Sequence, residues 1–191
     1  MKKHEDIYKL IHEVYKNDKE ALNFLLPHSE AVAEFASEIA KNVNADVDFV
    51  ERAALLHDIG ILKTHAPDIK CFGVEPYIRH GILGKEILEN RGLAREAKVA
   101  QNHIGVGLSA KHIKESGLPL PEINMVPENL EEEIVAYADL FFSKDPKRAS
   151  RKKSVEEVEK SVKKWGRESY EIFEAWHKKF GKDLDTNSDT N

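Results

Sequence analysis

At 191 residues, with 41% hydrophobic and 33% charged residues, the chain can build one substantial core and is too apolar for a disordered polymer. A formal charge of -5 argues mildly against a nucleic-acid-binding protein, no apolar run reaches the roughly 20 residues that cross a bilayer, and a single cysteine, Cys71, excludes an internal disulfide. Met1-Lys2-Lys3-His4-Glu5-Asp6 carries no apolar stretch of a secretory signal, so a cytoplasmic location is the default expectation.

Ile7, Leu10, Ile11 and Val14 recur at three- and four-residue intervals and predict an amphipathic helix within residues 1–20, a lid or brace with His4 and His12 at its surface. After the apolar stretch from Leu22 to Leu26, Pro27 can open a second helix through Val32, Phe35, Ala36, Ile39 and Ala40, which puts His28 on its first turn. Asn44-Ala45-Asp46 makes a turn, and Asp46 is a good N-cap for a helix from Val47 to His57. That helix buries Phe49, Val50, Ala53, Ala54 and Leu56 and ends in His57-Asp58-Ile59-Gly60, with Gly60 as its stop. An imidazole and a carboxylate side by side at a helix end, with a buried run behind them, can offer nitrogen and oxygen to one cation.

Residues 61–76 contain Pro67, Gly73 and Pro76 without periodicity and predict a loop over the site, with Lys63, Thr64 and His65 at its start. His80 opens a helix whose apolar side is Ile82, Leu83, Ile87 and Leu88, ending at Arg91-Gly92; the next, from Leu93, ends near His103. A histidine at one helix start and another at the next helix end can face each other across an antiparallel pair. Ser109 to Ser116 is a short capped helix before the break at Gly117-Leu118-Pro119-Leu120-Pro121, leaving His112 exposed and Lys111 either solvated or reaching a phosphate. A helix from Glu128 to Phe142 turns Leu130, Ile134, Val135 and Ala138 inward and Glu131, Glu132 and Glu133 to solvent. Asp139 lies next to its apolar side, where burial without a cation is costly.

Lys144, Lys147, Arg148, Arg151, Lys152 and Lys153 oppose only Asp145 over ten residues, a solvated linker with an anion or nucleic-acid contact as the alternative. A last helix, roughly Ser154 to Phe180, is too apolar to float free, and Trp165 and Trp176 are its expected anchors, with Gly166 as a bend. It predicts packing on the core or a homodimer through this helix. Residues 182–191 are polar and expected to be disordered. The elements together predict an all-α fold: a helical bundle over 21–143, preceded by a helix within 1–20 and followed by a linker and C-terminal helix over 144–181.

The motif His57-Asp58-Ile59-Gly60, His28 after Leu25-Leu26-Pro27, His80 before Gly81-Ile82-Leu83, His103 before Ile104-Gly105, and Asp139 after Ala136-Tyr137-Ala138 together resemble the HD superfamily of metal-dependent phosphohydrolases, in its HDIG form with extra histidines. The resemblance covers about Asn23 to Ser143. It implies that His28, His57, Asp58 and Asp139 bind one metal and that Asp58 bridges to a second held by His80 and His103; all six positions are filled. Imidazole-rich mixed sets favour Fe, Mn, Co, Ni or Zn over Mg and Ca, so two divalent transition metal ions are expected. Two ions about 3.5 to 4 Å apart can hold a bridging hydroxide and bind phosphoryl oxygens, and no Gly-x-Ser-x-Gly or phosphate-cradling glycine loop offers another route.

The expected activity is hydrolysis of a phosphoester or phosphoanhydride in a small-molecule nucleotide, with Asp58, Lys63 and His65 as catalytic groups. Many HDIG sequences carry Lys three positions after the Asp; here Ile61 stands there, and Lys63 two positions on can counter phosphate charge, helped by Arg79 or Lys111. A metal-bound water or His65 can protonate the leaving group. The histidine spacing is most similar to HD-type diadenosine-tetraphosphate hydrolases and archaeal HDIG-domain proteins of unassigned substrate. It is less like the cyclic-di-GMP phosphodiesterases, because no Gly-Tyr-Pro element or paired His-His follows. The same six-ligand pattern also occurs in mixed-valent di-iron oxygenases of the superfamily, and a non-catalytic nucleotide-binding regulator is the third reading.

Overall fold

The computed structural model describes residues 3–144 and 151–181, and among these the chain is nine α-helices with one very small hairpin, an all-α architecture. Helix α1 (Glu5–Val14) buries Ile7, Leu10 and Ile11 against α3 (Val47–Leu56). One residue past its end, Tyr15 is fully buried and donates its hydroxyl to the Ile59 carbonyl at 3.2 Å, which ties α1 to the turn after Asp58.

Helix α2 runs over Lys19–Asn42, so Pro27 lies inside it rather than at its opening, and His28 is mid-helix. An interior proline costs about 3 kcal/mol in a helix. Two features offset that cost: the buried positions Ala21, Leu22, Leu25, His28, Ser29 and Val32 form one unbroken face across Pro27, and Pro27 itself points outward. Helix α3 follows the turn at Asn44 and is capped as expected, the Asp46 side chain accepting from the Phe49 amide at 3.1 Å. It lies at the centre of the bundle, packed by α2, α5 (Ala94–Asn102) and α7 (Leu130–Asp139).

Gly60 does not act as a left-handed helix stop. The helix ends at Leu56 and passes through Asp58 into a 3-10 turn, Ile59–Lys63. The glycine serves close approach instead: a Cβ there would collide with the His80 carbonyl and the Gly84 amide of α4 (His80–Glu89). Gly81 of α4 plays the same part toward α5, where a Cβ would lie 2.7 Å from the Ala100 carbonyl oxygen. These missing side chains let α4 sit tightly on both the turn and α5, which carries His80 and His103 toward Asp58.

Residues 61–76 are more ordered than a plain loop: β1 (His65–Ala66) pairs antiparallel with β2 (Cys71–Phe72) around a 3-10 turn at Pro67–Ile69. Cys71 is buried and free. Helix α6 (Ala110–Glu115) is capped by Ser109 and closes a satellite core of Ile82, Ile113, Leu120 and Met125.

Helix α7 starts after Asn129, and Glu132 is buried at 3% exposure rather than solvated. It accepts from the Asn102 side chain at 2.9 Å, from the Asn129 side chain at 2.9 Å and from the Glu128 amide at 3.1 Å, so its charge is spread over donors that also join α7 to the end of α5. The C-terminal region is two helices, α8 (Val155–Val162) and α9 (Arg167–Phe180), because Gly166 takes φ 110° and breaks the run. Phe173, Trp176 and Phe180 are buried, and Phe173 and Phe180 approach Tyr137 of α7 with ring centroids 5.9 and 5.4 Å apart. Trp176 anchors as expected; Trp165, at 48% exposure, does not. No helix among the described residues is long and apolar enough to cross a membrane. Lys147, Arg148 and the tail 182–191 lie outside the described residues, as do the expectations made of them.

Candidate metal centre

Five side chains, His28, His57, His80, His103 and Asp139, gather from five helices around the carboxylate of Asp58 on the turn after α3. On one side, His28 Nε2 and His57 Nε2 each lie 3.4 Å from Asp58 Oδ2, and they lie 3.0 and 3.4 Å from Asp139 Oδ1. On the other, His80 Nε2 and His103 Nε2 lie 3.5 and 3.4 Å from Asp58 Oδ1. The two oxygens of one carboxylate are thus divided between two donor groups. All are buried except Asp139, whose side chain keeps 14% exposure.

The helix ends set the imidazole orientations. His57 Nδ1 donates to the Ala54 carbonyl at 2.6 Å, His80 Nδ1 to Tyr77 at 2.7 Å and His103 Nδ1 to Ala100 at 2.9 Å, each three residues back along the chain. With Nδ1 donating to a carbonyl, Nε2 is the nitrogen that faces inward, and it offers a lone pair whenever the ring is neutral. His80 and His103 Nε2 face each other at 3.2 Å, and His28 and His57 Nε2 at 3.3 Å. Two facing acceptors repel unless a proton or a cation lies between them, so the donor set fits a metal on chemical grounds. Two groups, His28 with His57 and Asp139, and His57 with Asp58 and His103, have ligand atoms close enough to share an ion.

Charge in the pocket follows the same division. Burial works against charge on Asp58 and Asp139, but Lys144 first, then the imidazoles, hold both carboxyls well below the usual carboxylate range. Burial likewise opposes charge on His57, yet Asp58 and Asp139 outweigh it and push the ring up to about 10. His80 goes the other way, to about 4, because burial is reinforced by His103 and Lys144. Lys144 Nζ stands 2.8 Å from Asp58 Oδ2 and 3.9 Å from Asp139 Oδ1, and these carboxylates raise it well above an ordinary lysine despite burial.

A cavity of about 310 Å³ opens beside the cluster. Its polar lining is Tyr77, His80, His103, Asp139, Lys144, Lys153 and Ser161; its apolar lining is Ile104, Leu140, Phe142, Val158, Val162 and Trp165. The structure brings His28, His57, Asp58, His80, His103 and Asp139 together. It does not bring Lys63, His65, Arg79 or Lys111 to that cavity. Lys63 and His65 are exposed on the hairpin side, Arg79 is occupied by Glu75 at 2.8 Å and the Pro119 carbonyl at 2.8 Å, and Lys111 is exposed on α6. The lysine that stands beside the cluster is Lys144, 2.8 Å from Asp58, while Lys63 lies away from the cavity. One signal could have found it: Lys144 follows Asp139 by five residues, just past a helix end. Tyr77, packed on His80 with ring centroids 4.8 Å apart, carried no sequence signal.

The family profile of the HD domain matches residues 25–142. The chain belongs to the HD domain family. The chain is also similar to a tRNA (cytidine(56)-2'-O)-methyltransferase of Thermoplasma volcanium, 38% identical over 65% of this chain and 33% of that protein. An uncharacterized protein of Methanocaldococcus jannaschii is 38% identical over 60% of this chain and 64% of its own length. The chain therefore spans a third of the methyltransferase and under two thirds of the second relative. The fold is also similar to the crystal structure of the HD domain of the L. monocytogenes phosphodiesterase PgpH, with TM-score 0.56, 18% identity, and coverage of 93% of this chain and 97% of that one. The same domain in complex with cyclic-di-AMP superimposes with TM-score 0.57 at 18% identity, over 96% of this chain and 98% of that one.

Proposed function

We propose that this HD domain protein is a metal-dependent phosphohydrolase that cleaves a phosphoester or phosphoanhydride bond of a nucleotide. The observation that carries the reading is the division of Asp58: Oδ2 faces His28 and His57 with Asp139 beside them, and Oδ1 faces His80 and His103. His28, His57, Asp139 and Asp58 Oδ2 would hold one divalent transition metal ion, and His80, His103 and Asp58 Oδ1 a second. Ions held there would act as Lewis acids on phosphoryl oxygens and lower the pKa of water at the reacting phosphorus.

The protein's own groups do the rest. The Nδ1 bonds to Ala54, Tyr77 and Ala100 hold three imidazoles in the orientation that ligation needs, so little ordering is left for the moment of binding. Lys144 is the cation placed to neutralise non-bridging phosphate oxygens in the cavity. Tyr77 lines the same cavity, and burial pushes its phenol up, which keeps it protonated and able to donate a hydrogen bond. Two relatives are named for methyl transfer, but the chain covers about a third of each, and the reading rests on the cluster rather than on those names.

The test is elemental analysis of anaerobically purified protein, followed by phosphate-release assays on the same sample across a nucleotide panel that includes cyclic dinucleotides and dinucleoside polyphosphates. Two transition metals per chain with release from one substrate class is the expected result. Two irons without release would replace the hydrolase by an oxygenase, and protein that takes up no metal would remove the reading.

A further inference from the structure

The apolar lining of the cavity is the part that hydrolysis alone leaves without a purpose. Half of that apolar lining, Val158, Val162 and Trp165, lies beyond the HD match, which stops at 142. The wall starts at Lys153, whose amide donates to the Phe141 carbonyl at 2.8 Å and whose Nζ donates to the Leu140 and Phe142 carbonyls at 2.9 and 3.1 Å. A lysine on the last carbonyls of a helix complements its dipole, and here it clamps α8 to the end of α7, immediately after Asp139. The capping box of Ser154 and Glu157 then starts α8, and Val158 and Val162 seat it in the core. Trp165 follows in the closing 3-10 turn, where Gly166 ends the run.

The position of Trp165 is unlike that of a core aromatic. Its six-membered ring rests on Gly105, where a Cβ would lie 3.2 Å from Cζ3, so the glycine leaves room for the indole two residues after His103. Nearly half of the residue remains exposed, while Trp176 on α9 is buried. A large flat ring that lines a cavity yet keeps a face in water gains by covering that face with another flat ring. The same cavity is lined by Lys144 and the imidazoles of His80 and His103. One part of the lining suits phosphate, another an aromatic group.

We infer that Trp165 is the stacking platform for the base of a nucleoside phosphate, so that α8 and its closing turn set a preference for nucleotides over base-free phosphoesters. This rests on the phosphohydrolase reading for the phosphate. Stacking on an aromatic side chain tolerates any base, so the platform selects for the presence of a base and not for its identity.

The experiment measures binding to the whole protein by calorimetry and by tryptophan emission, with 5'-AMP and its base-free counterpart ribose 5-phosphate as paired probes and inorganic phosphate as a third. AMP is expected to quench the emission of exposed Trp165, and ribose 5-phosphate to leave it unchanged. Trp165→Ala should weaken AMP about tenfold or more while leaving ribose 5-phosphate affinity and the thermal midpoint in place, and Trp165→Phe should restore most of the AMP affinity. An equal loss for both probes would mean that Trp165 only supports the wall, and equal affinity of the wild type for both would remove the platform outright. In either case bound inorganic phosphate and phosphoester turnover would leave the hydrolase reading standing. Protein that binds none of the three probes would remove both.

Discussion

The histidine–aspartate cluster and the C-terminal wall line one cavity and are held by different means. Each histidine of the cluster is buried, and three of them are tied through Nδ1 to a carbonyl of their own helix end. Helix α4 is pressed onto the turn after Asp58 by glycines that leave no slack. The wall hangs from the end of α7 by Lys153, two valines and the aromatic contacts of α9, and its most prominent side chain is half in water. Ligands placed in a packed core cannot shift without losing burial energy, which keeps the reaction constant. A half-exposed side chain on a wall attached at a few points can change at little cost to the fold. The boundary between the two regions falls at residue 142, where the HD match ends.

The strongest way to break the comparison is at its centre. Asp58→Ala is expected to abolish both metal binding and hydrolysis, because one carboxylate serves both donor groups; a variant that retains two metals per chain by elemental analysis would show that Asp58 does not bridge. Next comes the attachment of the wall. Phe173→Ala removes a fully buried ring stacked on Tyr137 and should cost about 3–5 kcal/mol in urea unfolding, with the cluster geometry of α2 to α5 affected far less than α9. If metal content falls as steeply as stability does, the two regions are not separable.

A smaller effect is expected at Gly60. Gly60→Ala forces α4 away from the turn and should cost about 1–3 kcal/mol, and the lost metal should be the one assigned to His80 and His103. Unequal loss would be read as one metal per chain in place of two, and retention of both would mean that α4 can retreat without moving His80. The smallest effect should come from Lys63→Ala. The side chain is exposed and away from the cavity, so kcat/KM should stay unchanged and stability should move within about 0.5 kcal/mol. A clear loss of turnover would return Lys63 to the phosphate site.

The sequence made much of this legible because helices and caps are local. Asp46 and Ser109 cap the helices that their side chains announced, and the spacing of His80 and His103 across a short connection did put them face to face. Where local signals failed, burial by distant elements had overruled them. Pro27 was read as a helix start, yet its outward position and the continuous face from Ala21 to Val32 carry α2 straight through it. Glu132 was read as solvated with its neighbours, yet Asn102 of α5 supplies a donor that makes its burial tolerable. Gly60 stands where a helix stop is expected, and its reason is the backbone of α4 at His80 and Gly84, twenty residues or more along the chain.

By itself, the sequence determined that the chain is helical, that it carries six imidazole and carboxylate donors in the order of the HD pattern, and that the C-terminal segment is too apolar to stay in solvent. Periodicity, capping and residue type are properties of short stretches, and they survive without knowledge of neighbours. Only the tertiary structure decided how those donors divide between the two oxygens of Asp58, that Lys144 rather than Lys63 stands beside them, and that Trp165 lines their cavity. Each of these depends on which distant segments meet, and the energy of a buried charge or a half-covered ring is set by what lies against it.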